Sequence, residues 1–243
     1  MSAHPFLPTP NCPYIGPCDV LLNPPEPVPR TVLAWVSHVA NLTRPEAVQW
    51  WNGTRAEREQ LQPQLWRRSD ATTPGAHAQP APQGLSKTPG ARATGSRIFS
   101  CTRDRALAEP ADLWAEPDSM RRTLLRLFDG CMRGRRMWVV PYSMATTSNE
   151  PTHLGIELTD SPFVVRNLTT TARTGRRALD QIRAGAHWVA SVHSVGYPLV
   201  DESGTPRPDV AWPCSSEKWI AQFPESEDVW SYGTGFGAVT LVG

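Results

Sequence analysis

The chain has 243 residues, 40% hydrophobic and 19% charged, with 24 Lys and Arg against 23 Asp and Glu for a formal net charge of +1. That length can bury a real core in one large or two small domains, and the near-neutral balance makes no electrostatic case for nucleic acid or a membrane surface. No apolar run approaches the roughly 20 residues needed to span a bilayer, and Met1–Pro8 has neither the basic nor the apolar region of a signal peptide, so a cytoplasmic protein is expected.

Five cysteines, Cys12, Cys18, Cys101, Cys131 and Cys214, make an odd number. That favours reduced thiols in the same compartment. Lys87 and Lys218 are the only lysines, so few amines exist for catalysis or phosphate binding.

In chain order, residues 1–29 carry nine prolines and read as an extended arm. The remainder, 30–243, reads as one domain. Val32, Trp35, Val36 and Val39 form a helical stripe over Thr31–Leu42. Pro45 is expected to open a helical turn through Trp51. Thr54-Arg-Ala-Glu57 is a capping box that starts a helix toward Trp66. Residues 67–97 are rich in Ala, Thr, Pro, Gly and Gln without periodicity and read as a mobile connection.

Asp118 is expected to cap a helix that buries Leu124, Leu127, Phe128 and Cys131, with Gly130 and Gly134 ending it. The Arg133-Gly-Arg-Arg136 run reads as a solvated or salt-bridged turn rather than a polyanion patch. Strands are expected at Met137–Val140, Leu154–Leu158 and Phe163–Val165. Thr174 can cap a helix carrying Ala178, Leu179 and Ile182, ended by Gly185. Strand candidates follow at Trp188–His193, Lys218–Phe223 and Val229–Tyr232. Helices first, then strands with an interposed helix, predict an α/β fold with a mixed β-sheet flanked by helices.

Chemistry-bearing side chains are sparse. None of the six histidines has metal-ligand spacing to a cysteine or carboxylate, and each reads as structural. Ser143 and Ser194 lack a nucleophile-elbow context, so a serine hydrolase is set aside. Asp160-Ser-Pro162 reads as a turn in which Asp160 binds backbone amides. Glu157 and Asp160 could form a carboxylate pair, but with no acid–base partner in the sequence both read as structural. The last stretch, Ser231-Tyr-Gly-Thr-Gly-Phe-Gly237, alternates glycines around Phe236 and can bring backbone N–H groups against a ligand. It lacks the Gly-Lys-Ser/Thr ending of a nucleotide P-loop.

The company that loop keeps is distinctive. The stretch from Leu127 to Met144 resembles the GTP-dependent phosphoenolpyruvate carboxykinases. So do Gly155–Val165, His193–Gly196, Trp212-Pro-Cys214 with Glu217-Lys218, Phe223–Glu225 and Ser231–Gly237. Arg30–Leu42 and Trp50–Thr54 fit as well. The likeness runs from about Arg30 to the end and is weakest over 67–97. It implies the fold of the carboxykinase N-terminal domain.

The resemblance also implies a gluconeogenic reaction, in which oxaloacetate and GTP give phosphoenolpyruvate, CO2 and GDP. Decarboxylation to an enolate precedes a phosphoryl transfer assisted by divalent metal, manganese or magnesium. Three residues carry over as substrate-binding. Arg92, in Ala91-Arg92, matches the family's substrate arginine. Phe236 stands where the family has a tyrosine whose ring lies against the substrate carboxylate. Gly237 matches the glycine whose N–H contacts that carboxylate. Ala238 and Val239 replace the family's glycine and asparagine.

No catalytic, metal or nucleotide residue carries over, because the family's metal-binding lysine follows the position of Gly243 and its phosphate loop and nucleotide pocket lie beyond. The expectation is a truncated carboxykinase, inactive alone, that binds oxaloacetate- or phosphoenolpyruvate-like molecules weakly. The alternatives are half of a split enzyme completed by a C-terminal carboxykinase polypeptide, a non-catalytic dicarboxylate- or protein-binding module, and a decaying reading frame.

Overall fold

The structure, a computed structural model, describes residues 22–25, 27–66, 97–110, 112–144, 153–209 and 215–235, with the backbone alone for 62–66. Among these residues, five α-helices flank one mixed sheet, the α/β arrangement expected. Nine strands contribute: β1 (Ala47–Trp50), β2 (Arg97–Ser100), β3 (Leu113–Trp114), β4 (Arg136–Met144), β5 (His153–Thr159), β6 (Arg173–Thr174), β7 (Val189–Ser194), β8 (Trp219–Phe223) and β9 (Asp228–Tyr232). Their spatial order is β1-β4-β5-β7-β9-β8-β2-β3, and β6 pairs with β4.

Strand direction places the functional end. β5, β7 and β9 run parallel to one another. β4 is antiparallel to β5, and β8 is antiparallel to β9. β1 runs with β4, and β2 runs with β8. The carboxyl ends of β5, β7 and β9 therefore share an edge with the amino ends of β4, β8 and β2.

Alternation along β4 divides the core into two layers. Met137 and Val139 face a large cluster with α1 (Arg30–Thr43), α3 (Pro117–Phe128) and α5 (Arg176–Arg183). Trp138, Val140 and Tyr142 face the opposite cluster, with Leu61 of α2 (Arg55–Trp66) and Val164, Val165 and Leu168 of α4 (Pro162–Thr171). A period of two with both faces buried is what a central strand of a covered sheet requires.

The helix ends follow cap chemistry, with some corrections. At α2, Glu57 accepts from the Thr54 N–H at 2.8 Å, and the Thr54 hydroxyl accepts from the Glu57 N–H at 3.2 Å, which completes the expected capping box. α3 is capped by Glu116 rather than Asp118: its carboxylate accepts from the N–H groups of Asp118 and Ser119 at 2.9 and 2.7 Å. Pro117 occupies the first helical position, where its missing N–H costs nothing, and that shifts the cap upstream. α5 begins at Gly175 with φ +99°, where a Cβ would lie 2.2 Å from the Asn52 carbonyl oxygen. Thr174 is in β6 instead, with its hydroxyl accepting from the Trp51 indole at 3.1 Å.

Two elements change type. The expected turn from Pro45 to Trp51 is strand β1, in register with β4 from Ala47↔Arg136 to Trp50↔Val139. Arg44, left-handed at φ 52°, ends α1 by returning its N–H to Ala40, so the helix does not continue past it. The expected strand Phe163–Val165 lies inside α4. Ser161 caps that helix through the Val164 N–H, and Pro162 opens it, so a Ser-Pro start overrides a short apolar run that suits either structure.

Strands β2 and β3 carry no sequence expectation. Within the 67–97 connection only Arg97 is described, and it opens β2. At the end of the arm, Leu22 and Val28 pack against the core, and the Leu22 carbonyl accepts from the Trp50 indole at 2.8 Å. No described helix is long and apolar enough to cross a membrane.

Candidate functional site

At the carboxyl ends of β5, β7 and β9 the three strands are tied together by buried polar groups. Asp160 directly follows β5. Its carboxylate accepts from the Val195 N–H and the Ser194 hydroxyl, each at 2.9 Å. Ser194 Oγ also accepts from the Gly196 N–H at 3.1 Å. Asp160 binds a backbone amide as expected, although the amide lies across the sheet rather than in its own turn. Ser194 Oγ is committed to this clasp.

His193 is the hub. It is fully buried, with Nδ1 2.8 Å from the Thr159 hydroxyl and Nε2 2.9 Å from the Thr234 carbonyl. A carbonyl can only accept, so Nε2 carries the proton and Nδ1 accepts from Thr159. Thr159 Oγ1 in turn accepts from the Ser161 N–H at 3.1 Å. Burial lowers the His193 pKa, while nearby Asp160 and the Thr234 carbonyl pull the other way. His187 lies before the opposite end of β7, 2.5 Å from Glu227, so the two histidines serve different places.

A pH dependence follows, with a definite sign. The folded His193 resists protonation, so below its unfolded pKa of about 6.5 the unfolded chain binds the extra proton. Stability from this residue is complete above that pH and declines as pH falls through it, by at most about 1.4 kcal/mol per pH unit for one proton. Urea unfolding at pH 7.5 and 5.5 should reveal the decline, and His193→Gln should flatten the part that this residue contributes.

These bonds fix the start of the glycine loop. The Gly233 N–H donates to the Ser194 carbonyl at 2.8 Å. The hydroxyls of Ser231 and Thr234 lie 2.7 Å apart, both residues buried. Gly233 has φ +70°, and a Cβ there would lie 2.0 Å from the Glu217 carbonyl oxygen. Tyr232 packs edge-on against Phe128, and burial pushes its pKa up to about 12. Beside it, Trp219 pairs in register with Tyr232, stacks on Phe99 with centroids 5.3 Å apart, and carries the Arg97 guanidinium 3.9 Å above its ring.

The polar atoms of this network are spent on one another, so its chemistry is positioning. Thr159, Asp160, His193 and Thr234 hold a glycine-rich backbone at the carboxyl edge of a parallel strand set, where α/β sheets receive ligands. Sequence reading assigned His193 only a structural place and did not find its partners. Thr159 and Thr234 are 34 and 41 residues from it in the chain, and no local spacing signals such a triad.

Arg92, Phe236 and Gly237 lie outside the described residues, as do Ala238, Val239 and Trp212–Cys214. Cys101 and Cys131 are free and buried, and burial raises the pKa of both thiols. Among the described residues, no three His, Cys, Asp or Glu side chains gather as a metal ion would need. These residues alone therefore do not fit the divalent metal that the resemblance implies.

A family model described as the phosphoenolpyruvate carboxykinase N-terminal domain matches residues 34–243. The chain is 38% identical over 216 residues to the phosphoenolpyruvate carboxykinase (GTP) of Renibacterium salmoninarum, covering 88% of this chain and 35% of that protein. It is 37% identical over 214 residues to the protein of the same name from Corynebacterium jeikeium, covering 88% and 35%. With that of Paenarthrobacter aurescens it shares 36% over 219 residues, covering 87% and 34%. The chain thus spans about a third of the length of these relatives.

Proposed function

The chain belongs to the GTP-dependent phosphoenolpyruvate carboxykinase family, matching its N-terminal domain, and from this we propose that it supplies the substrate-binding portion of such an enzyme. Its ligands are the carboxylates of oxaloacetate or phosphoenolpyruvate. Arg92 pairs with a carboxylate through its guanidinium fork, the Gly237 N–H donates to a carboxylate oxygen, and the Phe236 ring covers that group.

The observation that supports this reading is a convergence at one corner of the sheet. Arg97 pairs with Trp219, and Trp219 pairs with Tyr232. Arg92 precedes Arg97 by five residues and Phe236 follows Tyr232 by four. An extended chain reaches at most about 17 Å over five residues. Two segments distant in sequence can thus meet over one small ligand.

Phenylalanine at position 236 keeps an aromatic face without a hydroxyl, so the ring excludes water but donates no hydrogen bond. Nucleotide and metal belong to the part of the carboxykinase that this chain does not match. When bound there, they supply the phosphoryl group and the positive charge that stabilises its transfer. This chain orients the enolate formed as CO2 leaves.

Turnover therefore requires a second polypeptide or segment, a reading favoured by the one-third coverage of the relatives. The test is phosphoenolpyruvate formation from oxaloacetate, GTP and Mn2+ by the purified 243-residue chain, alone and mixed with the remaining carboxy-terminal part of a matched relative. No product alone and product on mixing is expected. Turnover by the chain alone would overturn the dependence on a second part.

A further inference from the structure

The amino ends of β2 and β8 lie at the same edge of the sheet as the glycine loop. Arg97 opens β2 and pairs in register with Trp219, and Trp219 pairs with Tyr232, the residue before Gly233. Two strand spacings, about 10 Å in all, therefore separate Arg97 from the root of the loop. Arg97 is exposed, and its guanidinium lies 3.9 Å from the centre of the Trp219 ring.

Beyond that ring contact, the Arg97 side chain makes no hydrogen bond or ion pair with another described residue. Arg103, past the other end of β2, pairs with Glu225 at 3.8 Å. The charge balance at the corner is positive. Among the described residues at these two strand ends, the cations are Arg97 and Lys218 and the acid is Glu217. The Glu217 carboxylate accepts from the Trp219 indole at 3.3 Å. The stretches 71–96, which leads into β2, and 229–243, which runs along β9 and beyond, contain no Asp or Glu.

The aromatic ring also orders the guanidinium. A guanidinium over a ring face still carries its N–H donors around its own edge, free for another partner. Trp219 is itself fixed, because its ring stacks on Phe99 with 17° between the planes and its indole N–H is bound to Glu217. The fork is thus held before a ligand arrives, which lowers the cost of ordering it on binding. A fork of this kind matches a carboxylate with two parallel N–H donors.

We infer that Arg97 binds the second carboxylate of a dicarboxylate ligand and so sets a preference for dicarboxylates over monocarboxylates. This rests on the reading above, in which Arg92 and the Gly237 N–H hold the first carboxylate. The test is calorimetric titration of the 243-residue chain with oxalate and with glycolate, which lacks the second carboxylate. Ionic strength is kept constant, so that non-specific screening is held fixed.

Arg97→Ala should weaken oxalate roughly tenfold, the scale of a lost charge-assisted hydrogen bond, and leave glycolate unchanged, with the urea midpoint of the parent. Arg97→Lys should recover part of the loss, since an ammonium supplies charge without the fork. Arg103→Ala removes the same charge past the other end of β2 and should bind oxalate as the parent does. The inference is overturned if Arg97→Ala binds oxalate as the parent does, if it weakens oxalate and glycolate alike, or if Arg103→Ala weakens oxalate equally. Arg92→Ala separates this inference from the reading beneath it. Weaker oxalate in Arg92→Ala but not in Arg97→Ala would keep the carboxylate site and remove Arg97 from it, whereas no oxalate binding by the parent would overturn both.

Discussion

Arg121→Ala is expected to lower the unfolding free energy by about 3–5 kcal/mol, the usual cost of stranding one partner of a buried ion pair. Arg121 and Asp228 have side chains only 5% and 1% exposed. The guanidinium meets both carboxylate oxygens, at 3.1 and 3.2 Å, and donates to the Ser226 hydroxyl at 2.6 Å. That hydroxyl donates onward to Asp228, and the Trp230 indole donates to the other carboxylate oxygen at 2.9 Å. The Arg121 guanidinium also lies 3.9 Å above the Phe223 ring, so the truncation loses packing as well as charge.

This pair ties α3 to the first residue of β9, the strand that delivers the glycine loop. Urea denaturation of Arg121→Ala measures the loss. The double variant Arg121→Met with Asp228→Asn should recover much of it, because no buried charge is then left unpaired. A loss under about 1 kcal/mol for the single variant would mean that water reaches Asp228 and that the pair is not buried in solution.

Gly233→Ala is the second large effect, expected at about 3 kcal/mol. Two costs combine. The left-handed backbone costs an alanine roughly 1–2 kcal/mol, and the added methyl is forced against the Glu217 carbonyl at 2.0 Å and Ser215 Cβ at 2.9 Å, an overpacking cost of about 1–3 kcal/mol. Relief by movement would break the Gly233–Ser194 backbone bond and release Thr234 from His193. Thermal unfolding should fall by several degrees, and ligand binding by the loop should weaken further than stability alone explains. By contrast, Gly204→Ala, with φ +86° but no atom within 4 Å, meets only the backbone cost.

Much of the fold was legible because it rests on local periodicity. The Val32, Trp35, Val36, Val39 stripe became the buried face of α1, and the Thr54–Glu57 box capped α2 with the expected bonds. Errors arose where a short apolar run suits two structures and a distant partner decides. Val48 and Trp50 form a strand because β4 offers a parallel edge. Val164 and Val165 form a helix because Ser161 and Pro162 start one, and β4 supplies Trp138, Val140 and Tyr142 beneath it.

The site divided in the same way. The glycine loop announced itself through its spacing. Its support did not, since Thr159, His193 and Thr234 meet only after three strands align. The Arg121–Asp228 pair, 107 residues apart, likewise has no local signature.

The most direct measurement is calorimetric titration with oxalate, a stable dicarboxylate that mimics the planar enolate, into the 243-residue chain and its Arg92→Ala and Gly233→Ala variants. Saturable binding by the parent is expected, at least tenfold weaker in each variant, with Arg92→Ala otherwise as stable as the parent. Oxalate binding that is absent from the parent, or equal in Arg92→Ala, would contradict the assignment of this corner of the sheet as the carboxylate site.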